Sequence, residues 1–396
     1  MQKLRITLIL MAFVSSIYSI SLDELMKLTQ SDNLLIQKEI IEKEQKSAEI
    51  ESIKWLKNPM LSFGIMENMS SQQITQAIAF PTKTYWAKKA KEKALSKSQT
   101  KVDLIQQDVE MKLSLLYYNL AFIEKKIDLQ SEKLAYLKTL EAVVEQKYIH
   151  GKTSQHHLIE LKMKTLILQD KLNSLEHKDR YNLQLQINEI VDNKLDLSDI
   201  KTEKSPRKRI SDFTDLYAES LKNYPLLILK QQNIEQGEIL LQKEKQSFWP
   251  DLSLGITREN NKMLKETSYS FMFGFSLPLQ IKANKAAINS KRNSLEQAKL
   301  ERTISENQVK LMLQKLQREY EDLEDKLDLF ENQVIPLAKQ IRKLAATSYQ
   351  NETIDFKTYI TTINDLIDKK LEYYKFEKQF NQKIVEITNL TQSEEK

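Results

Sequence analysis

The sequence predicts a mainly α chain with a small β part. It describes two long helical hairpins, each preceded by a short β-hairpin, with four membrane-crossing strands per chain. Three observations predict this. Helical spacing dominates the chain, four short segments switch to a two-residue period, and the whole succession is written twice. Composition agrees with it. Only five of 396 residues are Gly, about a fifth of the ordinary ~7%, which excludes doubly wound α/β enzymes, propellers and turn-rich all-β folds. The absence of Cys excludes disulfides, thiolate metal sites and cysteine nucleophiles. Lys plus Arg (60) nearly balance Asp plus Glu (55), and the interspersed charges form a solvated surface rather than a nucleic-acid footprint. No apolar run reaches the roughly 18 residues of a spanning helix.

Residues 1–19 read as a signal peptide. Lys3 and Arg5 precede the apolar run Ile6–Val14, and the small residues Ser15, Ser16 and Ser19 follow. Cleavage there removes two positive charges, lowers the net charge from +5 to +3 and marks an exported chain. An exported, helical, Cys-free protein fits a bacterial periplasm or outer membrane.

An internal repeat organises the rest. Asn58-Pro59-Met60-Leu61 matches Trp249-Pro250-Asp251-Leu252, Phe80-Pro81 matches Leu277-Pro278, and Tyr148 matches Tyr349. These matches occur in order and with slowly drifting offsets, which indicates duplication. The first repeat covers 20–191, with a β-hairpin at about 60–80 and a helical tip at about 148–154. Residues 192–212, including Lys204-Ser205-Pro206-Arg207-Lys208-Arg209, read as a polar linker. The second repeat covers 213–396, with a β-hairpin at about 251–278 and a tip at about 349–354.

Helices are expected over 22–57 and 213–248. The long helix 82–148 carries apolar residues at Val102, Ile105, Val109, Leu113, Leu116 and Leu120, the alternating three- and four-residue spacing of a coiled-coil seam. At about 1.5 Å per residue it spans about 100 Å. Its counterpart, 279–348, carries the same seam from Leu313 to Leu344, with Pro336 as a bend. Returning helices are expected over 154–190 and 354–391.

The four exceptional segments are strands with one greasy face and one small or polar face. The greasy faces hold Leu61, Phe63 and Ile65, then Ile74 and Ile78, then Leu252, Leu254 and Ile256, and finally Tyr269, Phe271, Phe273 and Phe275. A soluble hairpin would bury such a face on its own helices. Trp55, Trp86 and Trp249 instead sit near the strand ends, as an interfacial girdle would place them. The strand lengths also suit a tilted crossing of a bilayer. In hydrocarbon every backbone polar group must be paired, so strands span only as a closed barrel. Four strands are too few for closure, and three copies supply a 12-stranded barrel on a ring of helices.

This order of helix, Pro-flanked hairpin, long helix, Tyr148-x-x-Gly151 tip and returning helix, occurring twice, resembles the TolC-like outer-membrane efflux family. Asn58-Pro59-x-Leu61, Trp249-Pro250-x-Leu252, Phe80-Pro81, Leu277-Pro278 and Ile335-Pro336 carry the resemblance, which covers essentially the whole mature chain. It implies a homotrimeric channel-tunnel in the outer membrane with a long periplasmic portion. The implied partners are a periplasmic adaptor (membrane fusion) protein and an inner-membrane pump of the resistance-nodulation-division type. Compact length and short outer loops are most similar to the cation-efflux branch, which implies metal cations as cargo.

The resemblance places adaptor contact at the tips, at Tyr148, Gly151, Tyr349 and Asn351, with Asn351 standing where the first tip has glycine. Family members often carry acidic rings after the second tip; the corresponding positions here hold Lys357 or Thr358 and Ile360 or Thr361. A constriction would draw instead on His157, Glu160, Asp355 and Lys357. Gly151-Lys152-Thr153 lacks the remainder of a phosphate-binding loop, and no catalytic motif, cofactor site or metal-ligand spacing is present, so a non-enzyme is expected. The rival reading is a soluble periplasmic coiled-coil scaffold or adaptor, with the strands packed on the chain's own helices.

Overall fold

A computed structural model describes residues 20–54, 56–67, 69–202, 210, 213 and 216–391. Trp55, the signal segment 1–19 and the basic stretch 204–209 lie outside the described residues. The elements run α1 (Leu22–Asp32), α2 (Leu34–Glu51), β1 (Met60–Met66), β2 (Met69–Ile78), α3 (Pro81–Ile149), α4 (Gln155–Ser174) and α5 (Tyr181–Ile190). The chain continues through α6 (Leu216–Asn223), α7 (Pro225–Lys245), β3 (Asp251–Asn261), β4 (Glu266–Ser276), α8 (Ile281–Leu329), α9 (Ile335–Gln350) and α10 (Phe356–Thr391). The fold class is as expected, mainly helical with four strands.

Two compact units result, and each draws on both sequence halves. One comprises the described residues up to Asn33 together with Val109–Ser211 and Leu316–Glu386; the other comprises Leu34–Asp108, Asp212–Lys315 and the end of α10.

In the first unit, α1 begins with a reciprocal cap. The Ser21 hydroxyl accepts from the Glu24 N–H at 3.2 Å, and the Ser21 N–H donates to the Glu24 carboxylate at 3.1 Å. The helix expected to run unbroken over 22–57 stops at Asn33, whose backbone is extended and whose side-chain amide donates to the Ile190 carbonyl at 2.8 Å. Pro225, at the first turn of α7, divides the expected 213–248 helix in the same way.

The seam of α8 is buried at Leu316, Tyr320, Leu323, Leu327 and Phe330, with the Tyr320 and Phe380 rings 4.7 Å apart. It then leaves the core. A π-turn over Phe330–Val334 precedes Pro336, and beyond it Leu337, Ile341 and Leu344 are exposed. The extra residue of a π-turn advances the inward face by one position. Ile335, Ala338, Arg342, Ala345 and Tyr349 take the more enclosed positions on α9. The continuous seam expected from the spacing is therefore two seams out of phase, and Pro336 stands in the first turn of α9, directly after the π-turn. A second π-turn, Leu175–Arg180, joins α4 to α5.

The start of the expected polar linker is held against its own unit. Ile200 is buried, its carbonyl accepts from the Gln184 amide at 2.9 Å, and Thr202 bonds the Glu124 carboxylate through both its N–H and its hydroxyl.

In the second unit α2 and α3 are tied by Lys101, which reaches Glu39 at 2.9 Å and Glu42 at 3.2 Å. Gly237 on α7 lets α8 approach so closely that a Cβ there would stand 3.1 Å from the Leu295 side chain. The four strands form one antiparallel sheet in the order β1-β2-β3-β4. Among the described residues, β1 and β4 each have an edge with no partner strand.

Candidate functional site

The register of the sheet decides which side chains share a face. Leu61, Ile74, Ile256 and Phe271 form one cross-strand row, with Ile78, Leu252 and Phe275 two rows away. Leu254 and Phe273 fill the row between, and Phe63 and Tyr269 lie one row further out with Gln72 and Arg258. All twelve residues proposed from sequence as the greasy surface thus lie on one face. That face is not covered by the chain's own helices: Phe271, Phe273 and Phe275 are 75%, 76% and 68% exposed. The run Tyr269–Leu277 covers about 27 Å along the chain at ~3.4 Å per residue.

Gln76 is the polar exception in the middle of this face, opposite Leu254. Its amide donates to the carbonyls of Lys57 at 2.6 Å and Ala77 at 2.9 Å, which satisfies its donors without water. The other face carries Ser62, Ser71, Thr257, Ser268 and Ser270 with Gly64, Gly255 and Gly274. It suits contact with water and makes a poor dry core.

An aromatic collar borders the sheet. Trp249 stacks on Phe80 at 4.8 Å, and Trp86 meets Tyr85 edge-on at 5.3 Å beneath the Lys89 ammonium. Trp55, the third expected member, lies outside the described residues. Tyr85, Leu279 and Ile281 are exposed beside these elements and were not among the residues singled out from sequence. The period-2 alternation running past Pro278 through Leu277, Leu279 and Ile281 is the signal that could have found two of them. Lys83 and Asp251 pair at 2.9 Å where β3 begins, and Thr82 bonds Gln246 at 2.6 Å.

In the helical unit the two tips have the same hydrogen-bond pattern, which corrects the assignment of Asn351. At the first tip the Gly151 N–H donates to the Tyr148 carbonyl and the Lys152 N–H to the Lys147 carbonyl, at 2.9 and 2.8 Å. At the second, the Glu352 N–H donates to Tyr349 and the Thr353 N–H to Ser348, at 3.2 and 2.9 Å. The counterpart of Gly151 is therefore Glu352. Gly151 has φ +70° and Glu352 has φ +62°, whereas Asn351 sits at −84°. A non-glycine residue is held left-handed at the second tip, in reach of Lys147 at 3.9 Å.

Tyr148, Gly151 and Asn351 are exposed. Tyr349 is half-buried, stacked flat on Tyr359 at 4.9 Å under the Lys147 ammonium, and burial raises its phenol pKa. These rings border a core of Leu137, Leu140, Val144, Leu161, Phe356 and Ile363.

The four proposed constriction residues lie near the tips, and three of them have local partners. The Asp355 carboxylate caps α10, accepting from the Thr358 N–H at 2.7 Å; hydrogen bonds from the Thr358 hydroxyl and then its N–H lower its pKa. Glu160 pairs with Lys164 at 2.7 Å, and that bond lowers its pKa. His157 meets the Thr153 hydroxyl at 3.1 Å and stacks on Phe356. Lys357 is exposed. Among the described residues no His, Asp or Glu side chains cluster in threes to hold a metal, and no helix is long and apolar enough to cross a membrane.

No protein-family model and no curated protein matches the chain. Its fold, however, is similar to solved structures along nearly their whole length. A membrane protein from Pseudomonas aeruginosa superposes with TM-score 0.80 at 12% identity, covering 93% of each chain. The CmeC outer membrane channel of Campylobacter jejuni gives 0.76 at 13% identity, covering 94% of this chain and 87% of that one. The outer membrane protein VceC of Vibrio cholerae gives 0.77 at 11% identity, over 93% of this chain and 95% of that one. With the exposed greasy face and paired tips in place, the chain has the fold of these structures, the CmeC outer membrane channel among them, and it is the TolC-like fold that its sequence resembles.

Proposed function

We propose that this protein is a passive exit duct in the bacterial outer membrane, the channel-tunnel component of a tripartite efflux system. The observation that carries the reading is the uncovered face around Phe271, Phe273 and Phe275 on a sheet whose outer strands lack partner strands among the described residues. Water in contact with three such rings costs several kcal/mol in unburied apolar area, and acyl chains remove that cost. Unpaired edge groups are intolerable in hydrocarbon, so β4 of one copy pairs with β1 of the next. Three copies give 12 strands, an even-numbered barrel of ordinary size. The likeness to outer membrane channels such as CmeC supports the duct reading.

In this reading the duct performs no chemistry. A periplasmic adaptor meets the tips at Tyr148, Gly151 and Asn351, with Tyr349 behind them, and a pump of the resistance-nodulation-division type in the inner membrane supplies energy. His157, Glu160, Asp355 and Lys357 form the inner surroundings of the narrow end, a mixed-charge set rather than an acidic ring. The test is membrane fractionation followed by sizing in detergent. A trimer extracted from outer membranes only by detergent is expected; a monomer soluble without detergent removes the reading.

A further inference from the structure

The face of the sheet opposite the aromatic rows has an unusual apolar composition. By register it holds Ser, Thr, Gln, Asn, Gly, Ala, Asp and Glu, and every apolar side chain on it larger than alanine is methionine: Met60, Met66, Met69 and Met272. On the greasy face the apolar side chains are Leu, Ile, Phe and Tyr, with no Met. Five of the chain's 11 methionines fall within the two β-hairpins, the fifth being Met263 in the β3–β4 loop. If this face needed only bulk, branched residues would serve as they do on the other side. Besides its unbranched, flexible arm, methionine differs from them in carrying a thioether with soft, polarisable sulfur lone pairs.

Met66 and Met69 form the cross-strand pair that closes the turn between β1 and β2. Directly opposed residues have Cβ atoms about 4.5–5.5 Å apart, and two unbranched arms from that separation can bring both sulfurs onto one ion. Both are open to solvent, Met66 at 74% and Met69 at 39%. The same row continues through Asn261 to Glu266. The Asn261 side-chain oxygen accepts from the N–H groups of Met263 at 3.0 Å and Leu264 at 3.2 Å, which folds the loop so that Met263 stays at this end of the sheet.

We propose that Met66 and Met69 form a landing site for a soft monovalent cation, Cu(I) or Ag(I), bound and released without change of oxidation state. Neutral thioethers select such ions over Mg²⁺, Ca²⁺ and Zn²⁺, which prefer oxygen or imidazole. Two uncharged ligands on an open face hold the ion weakly enough to release it, as a passage requires. The inference rests on the duct reading only in taking this face to be wet.

The test uses the full chain in detergent, labelled with 13C at the methionine methyls and titrated with silver nitrate in chloride-free buffer. The Met66 and Met69 methyls are expected to shift together, saturating at about one ion per chain, while Met163 on α4 stays unmoved. Met66→Leu/Met69→Leu, which keeps size and apolarity, is expected to weaken this binding at least tenfold. Unmoved Met66 and Met69 methyls, or silver binding unchanged in the double variant because histidines supply it, overturn the proposal. Fractionation of the same preparations separates the two readings. A detergent-dependent trimer with unmoved methyls leaves the duct and removes the cation site. A soluble monomer whose two methyls still shift leaves the cation site and removes the duct.

Discussion

Leu254 and Phe273 stand opposite each other across β3 and β4 with their side chains on the same face, and neither is covered by the chain itself. The next residues toward the turn, Gly255 and Met272, are paired on the other face. A single residue step therefore separates two media. Phe273→Arg is expected to cost about 2–4 kcal/mol of barrel stability, the range for a cation near the bilayer midplane, or to block insertion. Ser270→Arg, on the opposite face, is expected to insert and fold. Heat-modifiable migration of the two variants in outer-membrane fractions is the measurement, and equal behaviour would reverse or abolish the assigned faces.

The tips offer a matched pair. Gly151 and Glu352 occupy the same left-handed position, and a Cβ at Gly151 would meet nothing within 4 Å. Strain there is conformational, so Gly151→Ala should destabilise by about 1 kcal/mol. Glu352→Gly should relieve strain and stabilise by about 0.5 kcal/mol, because the exposed pair with Lys147 contributes little. Thermal melts of both variants should move in opposite directions.

The π-turn before Pro336 sets the phase of α9. Glu331 lies in that turn and is exposed. Glu331→Ala, which removes an exposed side chain and whatever surface contact it makes, should cost no more than about 1 kcal/mol. Deleting Glu331 should instead return Leu337, Ile341 and Leu344 toward the core and turn Tyr349 away from Tyr359. The loss of that side chain's half-burial alone is worth about 1 kcal/mol. Circular-dichroism melts compare the two, and a deletion as mild as the substitution would show that the turn does not set the phase.

Acid should weaken the α2–α3 contact through Glu49. Hydrogen bonds from the Lys46 and Lys91 ammonium groups hold its carboxyl at about 2, against an ordinary 4.5. The depressed value means the folded chain binds fewer protons in that window, so stability from this group is complete above about pH 4.5 and is lost as pH falls toward 2. The Tm difference between wild type and Glu49→Gln should be present at pH 6 and close by pH 2. A difference independent of pH would assign the effect to packing.

Much of this was legible in the residues. Alternation at Tyr269, Phe271, Phe273 and Phe275 marked a strand because side chains in an extended chain point to opposite faces in turn. The three-four spacing from Leu313 to Phe330 marked a buried helical seam for the corresponding helical reason. Strand ends were less legible: β3 reaches Asn261, well past Ile256, the last greasy residue of its alternation, because ladder hydrogen bonds hold a polar end that has no apolar alternation to announce it.

The amino-acid order by itself determined the element types, their duplicated succession and the two chemically distinct faces of each strand, since all of these are local properties of periodicity. Only the tertiary structure decided that the four greasy faces join into one surface left open by the chain. It also decided that the α8 seam changes phase at Phe330 and that β2 of the first repeat pairs with β3 of the second. Each of these depends on register or backbone twist, which residues distant in sequence settle jointly and which no single stretch of chain can encode.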